Sequence, residues 1–529
     1  YYGARQILEN VTFEVHSSEK VGIVGENGCG KSTLLKIIMG LEPCEAGTIS
    51  IRKGAKLGYL EQIPVYPEEF KVIDILNKAF EKVDNVYKEL RDCEQKISSS
   101  DGKNMEKLFN RYSRLQEDYE KMGGYDKEEK LSKVCTGLKI DDVFKEKMFS
   151  KLSGGEKTTV ILGKMLLQNP DILLLDEPSN HLDLDSVEWL ESYLKSYKGS
   201  VIIVSHDRYF LDNVVTKIVE IEDMVSQSYN GNYTAYVNEK DRQLELKMHD
   251  FINQEKKVKS MESSIAQLID WGNRGGNNKF FRRAFSMQKM LDKMEKIKKP
   301  KMESESISIN ANMAGRSGNE VIIVKDLCKK LGNRVLFKNA SLLIRNGERT
   351  ALIGHNGCGK TTLLNILLNK MKADSGEAYL GSSVKAGYLP QIVSFDDEDK
   401  TVLECFRQSA AITEGKAREY LARYMFFDKS VFKKVKNLSG GEKSRLKLAI
   451  LMYNEINLLI LDEPTNHLDI NSREELEIFL KKFKGTLFFV SHDRYFINNI
   501  ADRVIELSNG VLNSYEGNYE YYKEKAMFK

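Results

Sequence analysis

The chain has 529 residues, of which 41% are hydrophobic and 30% charged, and its formal net charge at pH 7 is +3. One hydrophobic core rarely serves a chain of this length, so two or more domains are expected, and the balanced composition excludes a disordered or fibrous protein. No apolar run is long enough to span a bilayer, and the seven cysteines include no C-x-x-C pair that would indicate zinc or an iron–sulfur cluster, so we expect a cytoplasmic protein without a transmembrane domain.

The chain opens on Tyr1-Tyr2-Gly3 without a signal-peptide pattern, and we expect a few upstream residues to be missing. An apolar run at 20–24 predicts a strand, and the sequence G-x-x-x-x-G-K-S at 25–32 follows it and opens a helix, which is the context of a phosphate-binding loop (P-loop). Its glycines let backbone N–H groups face phosphates, and the helix N-terminus adds positive potential. Lys31 is expected to reach the β- and γ-phosphates of ATP, and Ser32 to offer its hydroxyl to Mg²⁺. The predicted nucleotide-binding residues of this loop are Gly25, Glu26, Asn27, Gly28, Cys29, Gly30, Lys31, Ser32 and Thr33.

A charged segment at about 81–131 favours helix. The sequence Ser98-Ser-Ser-Asp-Gly102 predicts a turn within it, and Gly123-Gly124 predicts a stop. We therefore expect a helical arm that stands out from the first domain. The sequence Leu-Ser-Gly-Gly-Glu at 152–156 follows the arm.

An apolar run at 172–175 predicts a buried parallel strand, and it ends in two acids, at the strand end where α/β sheets bind ligands. Asp176 is expected to hold Mg²⁺ through water, and Glu177 to polarise the water that attacks the nucleotide. Surface acids would be the simpler interpretation, but the spacing of 24 residues from the preceding Ser-Gly-Gly-Glu recurs later in the chain. His206 follows a Val-rich strand and is predicted to contact the γ-phosphate, although a lone histidine is more often structural. Gln62, which follows Gly-Tyr-Leu, is a candidate ligand of the metal or the water.

From about residue 241 the pattern is helical again, with apolar residues recurring every seven positions. The pattern returns after a Gly- and Asn-rich break, so two helices are predicted to form an antiparallel coiled-coil hairpin. Its apolar positions include Phe251, Val258, Ile265, Met287, Met290, Met294 and Ile297. Residues 240–300 carry 15 Lys and Arg against 8 Asp and Glu, a net charge of +7. A solvated spacer would explain a charge run alone, but aromatic side chains that could stack on bases are interleaved with the cations at the tip. The candidate RNA contacts are Trp271, Arg274, Lys279, Phe280, Phe281, Arg282, Arg283 and Phe285.

The second half of the chain repeats the first. Lys31 and Lys360 are 329 residues apart, whereas Ser153 and Ser439 are 286 apart, so the first copy contains 43 additional residues in the region of the arm. The repeat predicts a second P-loop made of Gly354, His355, Asn356, Gly357, Cys358, Gly359, Lys360, Thr361 and Thr362. It also predicts a second set of metal, water and γ-phosphate ligands, namely Thr361, Gln391, Asp462, Glu463 and His492.

The ordered set of P-loop, Gln, Leu-Ser-Gly-Gly-Glu, Asp-Glu-Pro and Ser-His-Asp resembles the ATP-binding-cassette superfamily over nearly all of both repeats. The resemblance implies two domains packed head to tail, with each ATP held between the P-loop of one domain and the Ser-Gly-Gly-Glu signature of the other. The implied signature residues are Ser153, Gly154, Gly155 and Glu156, opposite the second P-loop, and Ser439, Gly440, Gly441 and Glu442, opposite the first.

Other positions match functional residues of the same superfamily. The matches are Glu177 and Glu463 for the catalytic base, His206 and His492 for the γ-phosphate histidine, Asp183 and Asp469 for the loop that links the two sites, and Tyr2 for the aromatic that stacks on adenine. The second copy has Leu331 where the aromatic would stand, and Thr159 follows the first signature where the second has Arg445. We therefore expect the two sites to be non-equivalent.

Tandem cassettes with Asp-Glu-Pro-[Ser/Thr]-Asn-His-Leu-Asp in both copies, an arm in the first and a helical linker between them resemble the ABC-F family. This resemblance implies a monomer whose cassettes pair within one chain, and a ribosome partner with contacts to ribosomal RNA and tRNA at the exit site. It also implies that the ATP-bound closed form places the linker near the peptidyl-transferase centre and that hydrolysis releases the protein. The expected fold is α/β, with two P-loop ATP-binding-cassette domains joined by an antiparallel α-helical hairpin and a helical arm inserted in the first domain. The expected bounds are 1–231 and 320–529 for the cassettes, 232–319 for the linker with its tip at about 270–286, and about 81–131 for the arm.

Within that family two roles are open. The bulky aromatic tip favours antibiotic resistance by ribosomal protection, whereas a housekeeping translation factor would have the same architecture. The cassettes alone would also permit the ATP-binding subunit of a membrane transporter, but the fused tandem and the basic hairpin have no obvious role there. The absence of zinc cysteines and the short coiled coil argue against a DNA-repair or chromosome-type ATPase.

Overall fold

The computed structural model describes residues 6–60, 66–99, 105–180, 182–275, 278–294, 318–332, 334–466 and 468–526. The chain divides into two compact units. One contains both nucleotide-binding halves, and the other is formed by residues 229–306. This division does not separate the two cassettes, so the domain bounds expected from the sequence remain predictions.

A six-stranded sheet forms the centre of the first cassette. Its strands are β1 Lys20–Gly25, β2 Leu57–Tyr59, β3 Ile172–Asp176, β4 Ser200–Val204, β5 Lys217–Glu222 and β6 Val225–Asn230. The spatial order is β2-β3-β4-β1-β5-β6, and β2, β3, β4, β1 and β5 are paired in parallel. Because parallel strands point the same way, the P-loop after β1, the acids after β3 and the histidine after β4 come to one edge of the sheet.

Helices cover this sheet and form the arm. They are α1 Lys31–Ile38, α2 Val72–Asn77, α3 Glu81–Ser99, α4 Met105–Lys121, α5 Lys127–Gly137, α6 Asp142–Lys145, α7 Gly154–Gln168, α8 Leu184–Ser196 and α9 Arg208–Val214. Helices α3 and α4 pack against each other, and Arg111 of α4 pairs with Glu89 of α3 at 3.2 Å. The arm ends where the sequence predicts a stop, because Gly123 takes a left-handed φ of 69° and a Cβ on Gly124 would lie 2.3 Å from the Tyr119 ring.

The hairpin unit contains α10 Tyr233–Gly275 and α11 Asn278–Asp292. Helix α10 begins at Tyr233, earlier than the heptad pattern predicts, because the Asn232 side chain caps it by accepting a hydrogen bond from the Ala235 N–H at 3.1 Å. The same helix continues to Gly275, into the segment where the sequence predicts a break. The two helices pack through a small core of Ile265, Leu268, Ala284 and Leu291, with Val258, Met261, Phe280 and Met287 around it. The predicted apolar position Ile297 lies outside the described residues.

The second cassette repeats the plan of the first. Its strands are β7 Glu320–Leu331, β8 Arg334–Arg345, β9 Arg349–Ile353, β10 Ser375–Leu380, β11 Ala386–Leu389, β12 Leu458–Asp462, β13 Thr486–Val490, β14 Arg503–Ser508 and β15 Val511–Tyr515. Its helices are α12 Lys360–Leu367, α13 Val402–Ser409, α14 Glu414–Ala422, α15 Gly440–Tyr453, α16 Ile470–Lys482, α17 Arg494–Ile500 and α18 Tyr519–Ala526. The main sheet has the order β11-β12-β13-β9-β14-β15, which matches the first cassette, and β10, β7 and β8 form a separate antiparallel sheet.

Short 3₁₀ turns connect several of these elements, at Lys78–Phe80, Gly124–Asp126, Phe149–Lys151, Asp428–Phe432 and Val435–Asn437. In the described part of the chain, no helix combines the length and the apolar character that crossing a membrane requires.

Candidate active sites

Each P-loop wraps around the side chain of its own lysine. The Lys31 ammonium donates to the Gly25 and Glu26 carbonyl oxygens, both at 2.8 Å. The Lys360 ammonium donates to the Gly354 carbonyl at 2.7 Å and, more weakly, to the next carbonyl at 3.3 Å. Both lysines are buried, so each loop holds a positive charge at the N-terminus of a helix, where phosphates bind.

The residue before each of these helices has to be glycine. Gly30 has a φ of 101° and Gly359 a φ of 114°, in the left-handed region that other residues rarely adopt. A Cβ on Gly30 would also lie 2.7 Å from the Ile7 side chain. The glycines therefore let the backbone turn sharply from the strand into the helix, which leaves N–H groups facing the phosphate position.

The two candidate catalytic glutamates share an unusual backbone conformation. Glu177 has a φ of 47° and Glu463 a φ of 48°. Each directly follows its strand, and its N–H donates to the neighbouring strand at 2.9 Å, to the Val204 and Val490 carbonyl oxygens respectively. Left-handed non-glycine residues cost energy and concentrate at functional sites. The backbone thus fixes the direction of each carboxylate at the end of its sheet.

A histidine accompanies each glutamate in the same geometry. The His206 N–H donates to Glu177 Oε2 at 3.3 Å, and its Nε2 lies 3.6 Å from Oε1. The corresponding distances from His492 to Glu463 are 3.1 and 3.4 Å. In both carboxylates Oε1 is buried without a hydrogen-bond partner, so one acceptor oxygen of each is left for another donor, such as a water proton.

Burial changes the charge state of both pairs. Burial raises the pKa of Glu177 to about 7, against the opposing charge of Arg473, and it raises the pKa of Glu463 to about 7, against that of Lys360. Burial also lowers the pKa of both histidines, His206 and His492, to about 3, so their imidazoles are neutral at pH 7. A carboxylate whose pKa lies near the working pH is suited to accept a proton. A neutral imidazole keeps one N–H, which can donate a hydrogen bond.

Oxygen ligands for a divalent cation meet beside the second P-loop. Thr361 and Tyr388 donate hydrogen bonds to Asp462, and burial raises the pKa of that acid despite these bonds. Gln391 lines the cavity that Thr361 and Asp462 also line. Hydroxyl, amide and carboxylate oxygens, completed by phosphate and water, are the ligands that Mg²⁺ prefers. In the described ranges no group of three or more His, Cys, Asp and Glu side chains could hold a metal ion.

The second P-loop and the first signature lie across one cavity of about 1110 Å³. Residues 355–357 and 359–362 line it from the second cassette, together with Glu463 and His492, while Ser153, Gly155 and Glu156 line it from the first. The signature begins helix α7 with a reciprocal cap, in which the Glu156 N–H donates to Ser153 Oγ at 3.3 Å and the Ser153 N–H donates to Glu156 Oε2 at 2.8 Å. Asp183 and Thr159 line the same cavity, and Asp183 accepts from Lys139 at 2.9 Å.

The cavity at the first P-loop is smaller, about 530 Å³. Its lining includes Asn27 to Thr33 of the loop, apart from Cys29, together with Asp176, Glu177 and His206. From the second cassette Leu468 and Arg473 line it, and the Asn27 N–H donates to Asp469 Oδ2 at 3.2 Å. The second signature, 439–442, has the same reciprocal cap as the first but does not line this cavity as described. The structure therefore brings the first P-loop to the loop of Asp469, and its pairing with the second signature stays a prediction.

Two predicted residues lie outside the described ranges: Tyr2 and Gln62. Leu331, which stands where an adenine-stacking aromatic is expected, is 47% exposed and lines the larger cavity. Arg445, the counterpart of Thr159, forms an ion pair with Glu475.

Sequence reasoning missed a pair of buried ion pairs that join the cassettes. Arg208, directly after the first Ser-His-Asp, pairs with Glu477 of α16, and Arg494 pairs with Glu191 of α8. Each glutamate also accepts from an asparagine of its own cassette, at 3.0 Å from Asn213 and 3.1 Å from Asn499. The signal was in the sequence, because all three residue types recur at the spacing of 286. Only the fold reveals that each arginine pairs with the glutamate of the other cassette.

The candidate RNA contacts are not equally available. Trp271 is 53% exposed and Phe285 74% exposed, whereas Phe280 is half-buried and meets the Trp271 ring edge to face at 6.0 Å. Phe281 is 38% exposed and packs beside Gly272. Arg274 pairs with Asp270 at 3.1 Å, and the cations Lys279, Arg282 and Arg283 are exposed. Three aromatic rings and several cations are therefore exposed at the tip, most of all Phe285 and Trp271, while Phe280 packs against the hairpin core.

Two parallel-sheet cassettes, each with a P-loop, a strand-terminal Asp-Glu and a nearby histidine, define a tandem ATP-binding-cassette ATPase. A family model described as "ABC transporter" matches residues 8–180 and 337–466, and a second with the same description matches 219–309. The chain is 42% identical to "Putative ATP-binding protein YdiF" of Bacillus subtilis, covering 99% of this chain and 81% of that protein. It is 38% identical to "ABC transporter F family member 5" of Arabidopsis thaliana (99% and 76% covered) and 34% identical to "Energy-dependent translational throttle protein EttA" of Escherichia coli K12 (99% and 94% covered).

Among solved structures, "RNase-L Inhibitor" has the same fold, with a TM-score of 0.60 and 20% identity over 97% of this chain and 89% of that one. The chain belongs to the ABC-F family of ATP-binding-cassette ATPases. It binds and hydrolyses ATP.

Proposed function

We propose that this ATPase acts on the ribosome: its ATP-bound closed form binds there, presents the hairpin to RNA near the peptidyl-transferase centre from the tRNA exit site, and leaves after hydrolysis. The observation that carries the proposal is the hairpin tip, where exposed Trp271 and Phe285 accompany exposed Lys279, Arg282 and Arg283. Cations attract phosphates, and flat rings stack on unpaired bases. The similarity to a protein named for throttling translation, over 99% of this chain, supports the same role.

The hydrolytic step follows from the glutamate–histidine pairs. Glu177 and Glu463 accept a proton from the attacking water as its oxygen bonds to the γ-phosphorus, and ADP leaves with the bridging oxygen. His206 and His492, neutral at pH 7, donate a hydrogen bond to a γ-phosphate oxygen, and Lys31 and Lys360 offset its charge.

Mg²⁺ would be held in each site by the P-loop hydroxyl, the strand-terminal aspartate and the glutamine. These residues are Ser32, Asp176 and Gln62 in the first site and Thr361, Asp462 and Gln391 in the second. When bound, the ion neutralises phosphate charge.

Two roles fit a ribosome-bound hairpin. The name of the throttle protein favours a translation factor. The second candidate, antibiotic resistance by ribosomal protection, is favoured by the tip itself, because a 74% exposed Phe285 and a 53% exposed Trp271 are large enough to disturb a nearby drug pocket. A transporter's ATP-binding subunit is the alternative from another class.

The experiment that tests the proposal is co-sedimentation of the Glu177→Gln/Glu463→Gln double variant with ribosomes, in ATP and in ADP. We expect trapping in ATP only. A Trp271→Ala/Phe285→Ala variant in this background should weaken trapping, whereas Phe109→Ala, which removes a 51% exposed ring from the arm, is the matched control.

Drug tolerance of cells that express the wild-type protein separates the two roles. Trapping together with raised tolerance to peptidyl-transferase inhibitors would support protection. Trapping with unchanged tolerance would support a translation factor. No trapping in either nucleotide would overturn the ribosome proposal and favour the transporter subunit.

A further inference from the structure

Arg473 lines both nucleotide cavities, as Asn180 does, and it is the charged side chain of the two. It lies on α16, four residues after Asp469, and is only 7% exposed. A buried guanidinium needs partners for its charge and its N–H groups. Those partners identify what it holds in place.

The contacts of Arg473 join the two catalytic edges. Its Nη1 donates to the His206 carbonyl of the first cassette at 2.9 Å and to Asp493 Oδ2 of the second at 3.0 Å. Its Nε donates to the Leu468 carbonyl in its own cassette at 3.1 Å. One rigid side chain therefore links the histidine loop of the first site, the histidine loop of the second, and the segment that reaches the first P-loop.

The bond to His206 completes a clamp on that residue. The His206 N–H donates to Glu177 Oε2, and the His206 carbonyl accepts from Arg473. The backbone of His206 is thus held on one side by the candidate catalytic base and on the other by the opposite cassette. Losing the second contact would free the loop to move relative to Glu177, and small misplacements of reacting groups reduce rates strongly.

The repeat counterpart of Arg473 cannot form the same clamp on the second site. The position 286 residues earlier is Val187, which is 5% exposed and has no side-chain hydrogen-bond donor. The contact from Arg473 to the second site reaches Asp493, which caps helix α17 by accepting from the Phe496 N–H at 2.9 Å. The two sites therefore meet the same Nη1 through different acceptors, a backbone carbonyl in the first and a side-chain carboxylate in the second.

We propose that Arg473 is a positioning residue for ATP hydrolysis, which aligns His206 with Glu177 from the opposite cassette and so makes the first site depend on it more than the second. The proposal rests on the assignment of Glu177 and Glu463 as the bases of the two sites, and it is independent of any ribosome partner. The turnover of the two single Glu→Gln variants is measured first, before Arg473 is changed. If both variants retain wild-type turnover, the assignment of the bases is wrong.

The test measures Arg473→Val, which copies the residue of the repeat, in two backgrounds. In Glu463→Gln the remaining turnover comes from the first site, and in Glu177→Gln from the second. We expect Arg473→Val to lower kcat about tenfold or more in the first background and about threefold or less in the second, with the KM for ATP changed less than kcat. Arg473→Lys, which keeps the charge and one donor direction, should recover part of the lost kcat.

Arg503→Val is the matched control. Arg503 Nη1 also donates to a carbonyl, that of Leu343 at 2.9 Å, and to a carboxylate, that of Glu348 at 3.1 Å, but it lines neither cavity. Its loss should affect both backgrounds alike. The proposal would be overturned if Arg473→Val lowered kcat equally in both backgrounds. It would also be overturned if the fall in kcat were explained by a lower thermal midpoint, as is expected for Arg503→Val. If Arg473→Val fails to fold, the ratio of turnover between backgrounds for Arg473→Lys decides in the same way.

Discussion

The two ATP sites are built from nearly identical motifs, and their local geometry is nearly identical too. The φ values of Glu177 and Glu463 differ by one degree, and each histidine contacts its glutamate in the same two ways. The surroundings differ much more: one site opens into a cavity of about 1110 Å³, the other into about 530 Å³.

The difference arises at positions that the motifs do not include. Lys139 pairs with Asp183 at the larger cavity, whereas the residue 286 later is Met425. Arg473 clamps the first site, whereas its counterpart is Val187. Local chain geometry depends on neighbouring residues, which the repeat preserves, but the environment of each site depends on side chains from the opposite cassette. Identical motifs therefore do not make equivalent sites.

The largest effect is expected from the catalytic carboxylates. Glu177→Gln and Glu463→Gln together should lower ATP turnover about 10²–10³-fold, because both sites would lose the proposed general base. The single variants should differ from each other if the sites are non-equivalent. Steady-state phosphate release measures this, and Glu414→Gln, which breaks a surface ion pair with Arg418, serves as the control. Equal single effects would contradict non-equivalent sites.

The buried ion pairs between cassettes should show a large effect on stability that depends on which partners are removed. Glu191→Leu alone removes the nearer of two carboxylates beside the buried Arg494, the other being Asp207 at 3.6 Å, and should lower the free energy of unfolding by about 3 kcal/mol. Replacing both, as Glu191→Leu/Arg494→Met, should be close to neutral by comparison.

Urea unfolding measures these free energies, and the same changes at the corresponding ion pair, Glu477 and Arg208, test whether both pairs contribute equally. We expect similar values, because both pairs are buried and each glutamate has an asparagine partner. Additive losses from the two single changes, with no coupling between partners, would rule out a paired contribution.

A smaller effect is expected in the pH dependence of stability without nucleotide. Folding raises the pKa of Glu177 and Glu463 from the ordinary 4.5 to about 7. A carboxyl of this kind favours the fold while it is protonated, so its contribution is present below pH 4.5 and is lost as the pH rises through 7. The double Glu→Gln variant, which cannot ionise, should therefore gain thermal midpoint over the wild type between pH 5 and pH 8. A constant difference across that range would contradict the buried, shifted glutamates.

Much of the site could be predicted because its parts follow strands directly. The apolar run before each Asp-Glu predicts a strand that ends in the acids, and β3 and β12 end at Asp176 and Asp462 as expected. A helical hairpin was also predictable from heptad spacing, although the cap at Asn232 starts α10 earlier than the apolar pattern.

Contacts between distant segments could not be predicted in the same way. Nothing in the spacing of Arg208 or Arg473 indicates that their charges cross to the other cassette, because such contacts depend on how two separately formed surfaces meet. Phe280 illustrates the same limit within the hairpin. Sequence reasoning treats it as an exposed ring, but on α11 it is half-buried and packs against the hairpin core.

The smallest effect concerns the adenine end of the second site. Leu331 is exposed in the larger cavity where an aromatic ring would stack on the base, so Leu331→Tyr should tighten ATP binding there by about 1 kcal/mol, or about fivefold. Nucleotide titration in a Lys31→Ala background, which disables the first P-loop, isolates this site. Tripolyphosphate, which has no base, should bind Leu331→Tyr and the wild type equally, and Val335→Tyr, on the same stretch of chain but outside the cavity lining, should leave ATP binding unchanged. If tripolyphosphate gains affinity as ATP does, the gain does not come from the base, and Leu331 would not explain the difference between the sites.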